Sequence, residues 1–72
     1  MRATFENTKI GDKIIFREPG NHWFLNRVEN AKELISGQTY TVKKINVASS
    51  STGVILEETD KEVELCWFDI YE

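Results

Sequence analysis

The chain contains one cysteine (Cys66), one histidine (His22) and one proline (Pro19). Each scarcity argues against a class of protein. A lone cysteine supports neither an internal disulfide nor a thiolate zinc site, so the sequence does not read as a stapled secreted scaffold, and a reducing cytosolic compartment is expected. A lone histidine without metal-ligand spacing around it leads us to expect no metal and no other cofactor. No apolar run approaches the ~20 residues that span a bilayer. Met1 is not followed by the apolar core of a signal peptide, so no membrane role is expected. One proline and four glycines are too few for a low-complexity linker, and no glycine loop suited to cradling phosphate is present.

What remains is the composition of a folded domain. Hydrophobic residues make up 40% of the 72 residues and charged residues 29%. That balance suits a globular chain rather than a disordered one. The length allows one domain, residues 1–72, with an economical core and little chain left over for a deep cleft. The net charge of −3 is unevenly distributed. Residues 1–17 carry +2, residues 18–38 carry −1, residues 39–53 carry +2 and residues 54–72 carry −6. Phosphate neutralisation dominates nucleic-acid affinity, so the acidic last quarter opposes such binding unless the fold separates the two signs.

Alternation of apolar with charged or polar residues marks the strands. Asp12–Arg17 is the first, fed by a turn at Ile10-Gly11-Asp12. Pro19-Gly20 signals a turn after it. Val28–Ile35 suits about two helical turns, with Val28, Ala31 and Leu34 or Ile35 on one face and Gly37 as the stop. Thr39–Val47 is the second strand. Tyr40 and Val42 share one parity but Ile45 and Val47 the other, which predicts a bulge or bend at Lys43-Lys44. A polar turn over 48–53 leads to a strand at Val54–Glu57, and a turn over 58–61 leads to one at Glu62–Trp67. There Val63, Leu65 and Trp67 face one way, and Glu62 and Glu64 face solvent. Phe68–Tyr71 forms a last short strand or helical turn. The expected core is Ile10, Ile14, Phe16, Leu34, Tyr40, Val42, Ile45, Val54, Leu56, Val63, Leu65 and Phe68. The fold class is therefore mostly β. About five short antiparallel strands suit a small barrel, with a long first loop that holds a short helix.

Three segments, in order, carry a resemblance: Ile10-Gly11-Asp12-Lys13-Ile14, Gly37-Gln38-Thr39-Tyr40-Thr41-Val42 and Gly53-Val54-Ile55-Leu56-Glu57. With an aromatic-ended last strand, the chain over residues 9 to 70 resembles the small SH3-like β-barrel proteins common in bacteriophage and prophage genomes. The resemblance implies an SH3-like barrel and a phage origin. It implies no reaction, because the fold hosts many roles. The segment Glu18–Ser36 is longer than in those proteins and is the best place for a private function.

His22-Trp23-Phe24-Leu25 stands out within that segment. Two adjacent aromatics cannot both enter a small barrel at little cost, and Trp, Tyr and Arg concentrate at binding hot spots. The resemblance points the same way, since the first long loop of SH3-like barrels borders their ligand groove. His22, Trp23, Phe24, Arg27 and Tyr71 are therefore the expected partner-binding residues, with one aromatic ring plugging the barrel as the competing use. Lys13, Arg17, Lys43 and Lys44, joined by Arg27, are the residues that would contact nucleic acid instead, by phosphate contact beside a stacking ring. Glu57, Glu58, Glu62 and Glu64 form an acidic row that reads first as a solvated strand face and second as a mimic of nucleic-acid phosphates. No residues assemble into a catalytic constellation, and Cys66 reads as a partly covered structural thiol within a strand. The function expected is non-enzymatic binding of a protein partner, as an adaptor or inhibitor of a host protein, by a monomer or homodimer.

Overall fold

A computed structural model of the chain describes residues 1–18, 25–49 and 51–71. Five strands form where alternation predicts them. They are β1 (Lys13–Phe16), β2 (Thr39–Val47), β3 (Thr52–Leu56), β4 (Glu62–Glu64) and β5 (Phe68–Ile70). One helix, α1 (Leu25–Ala31), lies between β1 and β2, and a 3-10 turn, Leu65–Trp67, joins β4 to β5. The strands make one open antiparallel sheet in the order β4-β3-β2-β1-β5.

β2 is the spine. Its first residues pair with β1, as Thr41 with Lys13 and Thr39 with Ile15. From Val42 onward it pairs with β3. Val42 opposes Leu56 while Lys44 opposes Ile55, so Lys43 is one extra residue on β2. This is the predicted bulge. An extra residue bends the strand and reverses the side-chain parity beyond it. Tyr40 and Val42 are consequently buried before the bulge, and Ile45 packs half-buried against the core after it.

The core lies on one face of this bent sheet. Ile14, Phe16, Tyr40, Val42, Val54, Leu56, Val63 and Phe68 come from the five strands, and all are buried. Phe68 meets Phe16 edge-on at 5.3 Å between ring centroids and Tyr40 at 6.5 Å, in the geometry that the ring quadrupole favours. The Tyr40 hydroxyl accepts the Ile35 amide at 2.9 Å, so its polar end is satisfied.

Four expectations need correction. Ile10, expected in the core, is 68% exposed. Its place at the turn before Gly11 (φ +92°) holds it clear of the sheet, and buried Ala3 and Thr8 bring the N-terminal segment against the fold instead. The strand expected at Glu62–Trp67 stops at Glu64, and Cys66 lies in the 3-10 turn, exposed. The tighter turn lets Leu65, Trp67 and Phe68 all be buried, which strict alternation forbids. Gly53 is not in the turn but inside β3. The helix begins three residues earlier than expected and ends at Ala31, with Leu34 buried and Ile35 exposed beyond it. Gly37 (φ +86°) turns the chain into β2, its amide donating to the Phe16 carbonyl at 2.6 Å.

Both sheet edges carry a cover. The N-terminal segment runs along β5, with Arg2 bridged to Asp69, the Ala3 amide on the Phe68 carbonyl and the Ile70 amide on the Met1 carbonyl. α1 packs on β4. Covered edges protect a small sheet from pairing with other chains.

Truncating the fully buried Leu56 to Ala should cost about 2–5 kcal/mol in urea unfolding. Ile10→Ser should change stability by no more than about 0.5 kcal/mol. A large loss from the second variant would return Ile10 to the core.

Candidate interaction surface

α1 is seven residues long, too short to persist on its own in water. It exists because it docks, and the docking is largely polar. Arg27, in its first turn, is 8% exposed. Its Nη1 donates to the Glu64 carboxylate and, at 3.2 Å, to Ser51 Oγ, while its Nε donates to Glu62 Oε1 at 3.4 Å. Asn46 Nδ2 donates to the other Glu62 oxygen at 2.7 Å, and Asn30 Nδ2 to the Glu62 backbone carbonyl at 2.8 Å. Among the described residues, no buried side-chain nitrogen or oxygen lacks a hydrogen-bond partner. Burial opposes the charge on Arg27. The hydrogen bond to Glu64 and the negative charges of Glu64 and Glu62 outweigh it and hold the guanidinium pKa above its ordinary value.

This network overturns the reading of Glu62 and Glu64 as a solvated face. Glu64 is 1% exposed and Glu62 half-buried, because the outer face of β4 is covered by α1. Gly53 lies opposite Glu64 on β3 and provides the room. A Cβ there would stand 2.7 Å from Glu62 Oε2 and 2.8 Å from Arg27 Nη2.

Of the expected partner-binding residues, His22, Trp23 and Phe24 lie outside the described residues. Arg27 is turned inward, its guanidinium held by Glu64 and Glu62. Tyr71 is exposed just beyond β5, at the far end of the strand order from α1. Leu25, the last residue of the run that stands out in the sequence but not among the expected partner-binding residues, opens α1 and is 71% exposed. Its adjacency to Trp23-Phe24 was the available signal. Two shallow grooves flank the N-terminal segment. One, of about 310 Å³, runs between Ala3-Phe5 and Leu65-Cys66. The other, of about 400 Å³, passes Thr8, Lys13 and Tyr71.

The basic residues do not gather into one free patch. Arg17 pairs with Asp69 at 2.8 Å and Lys43 with Asp60 at 2.6 Å. Lys13 Nζ lies 3.4 Å from Thr41 Oγ1, and its charge helps keep Glu58 ionised. Lys44 is exposed. Arg17 holds the Asp69 carboxyl below its ordinary range, chiefly through their hydrogen bond. Of the acidic row, Glu64 is inside, and Glu58 accepts both the Thr41 amide (2.8 Å) and hydroxyl (2.9 Å). Partial desolvation of the Cys66 thiol, and then the Glu64 charge, push its pKa up, although the residue as a whole is exposed. Among the described residues, no three His, Cys, Asp or Glu side chains gather as a metal site requires, and no helix is long and apolar enough to cross a membrane.

Comparison with known protein families, curated proteins and solved structures returned no match for this chain.

Glu64→Ala should destabilise by about 3–5 kcal/mol, since it leaves Arg27 buried without its main counter-charge. The paired replacement Arg27→Met with Glu64→Leu should recover most of that loss in urea titrations. A double variant as unstable as Glu64→Ala would contradict this account. Burial opposes ionisation of Glu58, but the two Thr41 hydrogen bonds prevail and lower its pKa. Its contribution is therefore present above the ordinary Glu pKa and lost as pH falls through the lower folded value. Glu58→Gln should be less stable than the parent at pH 7, with the gap closing in acid. A gap that does not vary with pH would refute this.

Proposed function

We propose that this chain is a small non-enzymatic protein-interaction module, built as an SH3-like barrel of the kind phage genomes encode. The strand order β4-β3-β2-β1-β5 and the bulge that bends β2 between two partners support the barrel reading. The observation that carries the binding reading is Leu25. A large aliphatic side chain stands 71% exposed at the start of a helix whose opposite side is anchored by Arg27. An exposed apolar group on a docked helix, next in sequence to His22-Trp23-Phe24, is the material of a binding hot spot. Leu25 with Trp23 is therefore the centre of the proposed surface, and Tyr71 is a separate exposed aromatic.

The nucleic-acid reading has less behind it. Arg17 and Lys43 are neutralised by Asp69 and Asp60, which lowers the field a phosphate backbone would meet. The phosphate-mimic reading loses Glu64 to the interior. An enzyme reading would need an activated group in a pocket. Glu58 is instead stabilised as a carboxylate by Thr41, and the Cys66 thiol is pushed away from its reactive form.

The test is capture of a host protein on immobilised wild-type chain, with and without nuclease. One protein should be retained near stoichiometry under both conditions. Trp23→Ala and Leu25→Asp should each cut its retention at least about ten-fold, and Leu25→Asp should leave stability within roughly 0.5 kcal/mol. Retention unchanged in both variants, or abolished by nuclease, would overturn the proposal.

A further inference from the structure

The register of β4 shows which way its backbone points. The Leu56 amide donates to the Lys61 carbonyl at 3.4 Å, so these residues form a hydrogen-bonded pair. Bonded and non-bonded pairs alternate along an antiparallel ladder. Val54–Val63 is then the next bonded pair, while Ile55–Glu62 and Gly53–Glu64 are non-bonded. The backbone groups of Glu62 and Glu64 therefore turn away from β3, toward the outer edge of the sheet. That edge is where α1 sits, and Asn30 Nδ2 caps the outward Glu62 carbonyl at 2.8 Å.

The helix has little apolar hold on this position. Ala31 is its only buried apolar side chain, Val28 is half-buried and Leu25 faces solvent. Its polar attachments converge on Arg27, Glu62 and Glu64. The sheet supplies most of the core, with Val42, Val54 and Leu56 fully buried in a cluster that Ala31 joins. A short helix with one buried and one half-buried apolar side chain, and much of its polar hold in one charged cluster, is suited to detach as a unit. Local openings of this kind belong to elements with few buried apolar contacts.

We infer that α1 is a latched cover over the β4 edge, with Arg27–Glu64 as the latch, and that it opens while the sheet stays folded. Opening bares the outward Glu62 carbonyl that Asn30 holds, the kind of group with which an added strand pairs. The inference requires no partner and stands apart from the binding role proposed above.

Native-state hydrogen exchange on the whole chain, followed by NMR at low denaturant, tests it. In the wild type, the amides of Glu29, Asn30 and Ala31 should exchange through an opening nearly independent of denaturant. They should do so at least about ten-fold faster than those of Val42, Leu56 and Val63. Glu64→Gln should speed the α1 amides by about ten-fold or more, the size expected when a charge-assisted hydrogen bond is weakened. It should speed the sheet amides by a similar factor, because the latch is absent from the open and the unfolded states alike. Ile14→Ala, on β1 in the core, should speed the sheet amides and leave the α1 amides within about two-fold. One common rate and denaturant dependence for helix and sheet in the wild type would overturn the inference. So would an Ile14→Ala chain whose α1 amides speed as much as its sheet amides, or a Glu64→Gln chain whose α1 amides are unaffected.

Discussion

The Arg27–Glu64 ion pair is the contact around which the outer half of this fold is arranged. Two charges taken out of water lose several kcal/mol of hydration each, and only close geometry with further hydrogen bonds repays that loss. The surrounding residues meet the requirement. Ser51 accepts from the guanidinium, Glu62 adds a second carboxylate, and Asn46 holds Glu62 in place. Gly53 must have no side chain, because the guanidinium and a Glu62 oxygen occupy the space a methyl would take. The position of α1 follows from the pair, and so does the burial of an outer strand face that would otherwise be wet.

The apolar core answers a different problem, that of folding a short chain into a sheet with a single buried face. The bulge at Lys43 allows β2 to pair with β1 and then with β3 while bending between them. The 3-10 turn after β4 brings Leu65, Trp67 and Phe68 inward within four residues and hands the chain to β5. A sheet this small has two edges to protect, and the chain protects them by different means. β5 is covered by backbone hydrogen bonds from the N-terminal segment, and β4 by a helix held through side chains. The first cover resembles a sixth strand, whereas the second is held largely through a charge pair.

The surface follows from how the charges are used. Arg17, Arg27 and Lys43 each meet a carboxylate, which lowers the positive field at those positions. Leu25 stands exposed at the start of the docked helix.

The strands, the bulge and most of the core were legible in the sequence, because each is a local pattern. Two-residue alternation marks a half-buried strand, and a parity switch between Val42 and Ile45 reports one extra residue wherever the strand is placed. The same local rule misled at Glu64. Alternation assigned Glu64 correctly to the face opposite Val63 but cannot say what covers that face, and the answer is Arg27, 37 residues away in the chain. Ile10 failed for the complementary reason. Its side chain is apolar enough for the core, but only the folded arrangement shows that the turn holds it outside and that Ala3 is buried instead. Gly53 reads as a turn residue until the guanidinium above it is known. Sequence by itself determined the elements and their apolar face, since these depend on neighbours two to four residues apart. Tertiary structure alone decided which charges are buried, which edges are covered and which apolar side chain is left outside, since each of these depends on elements that meet only when the chain has folded.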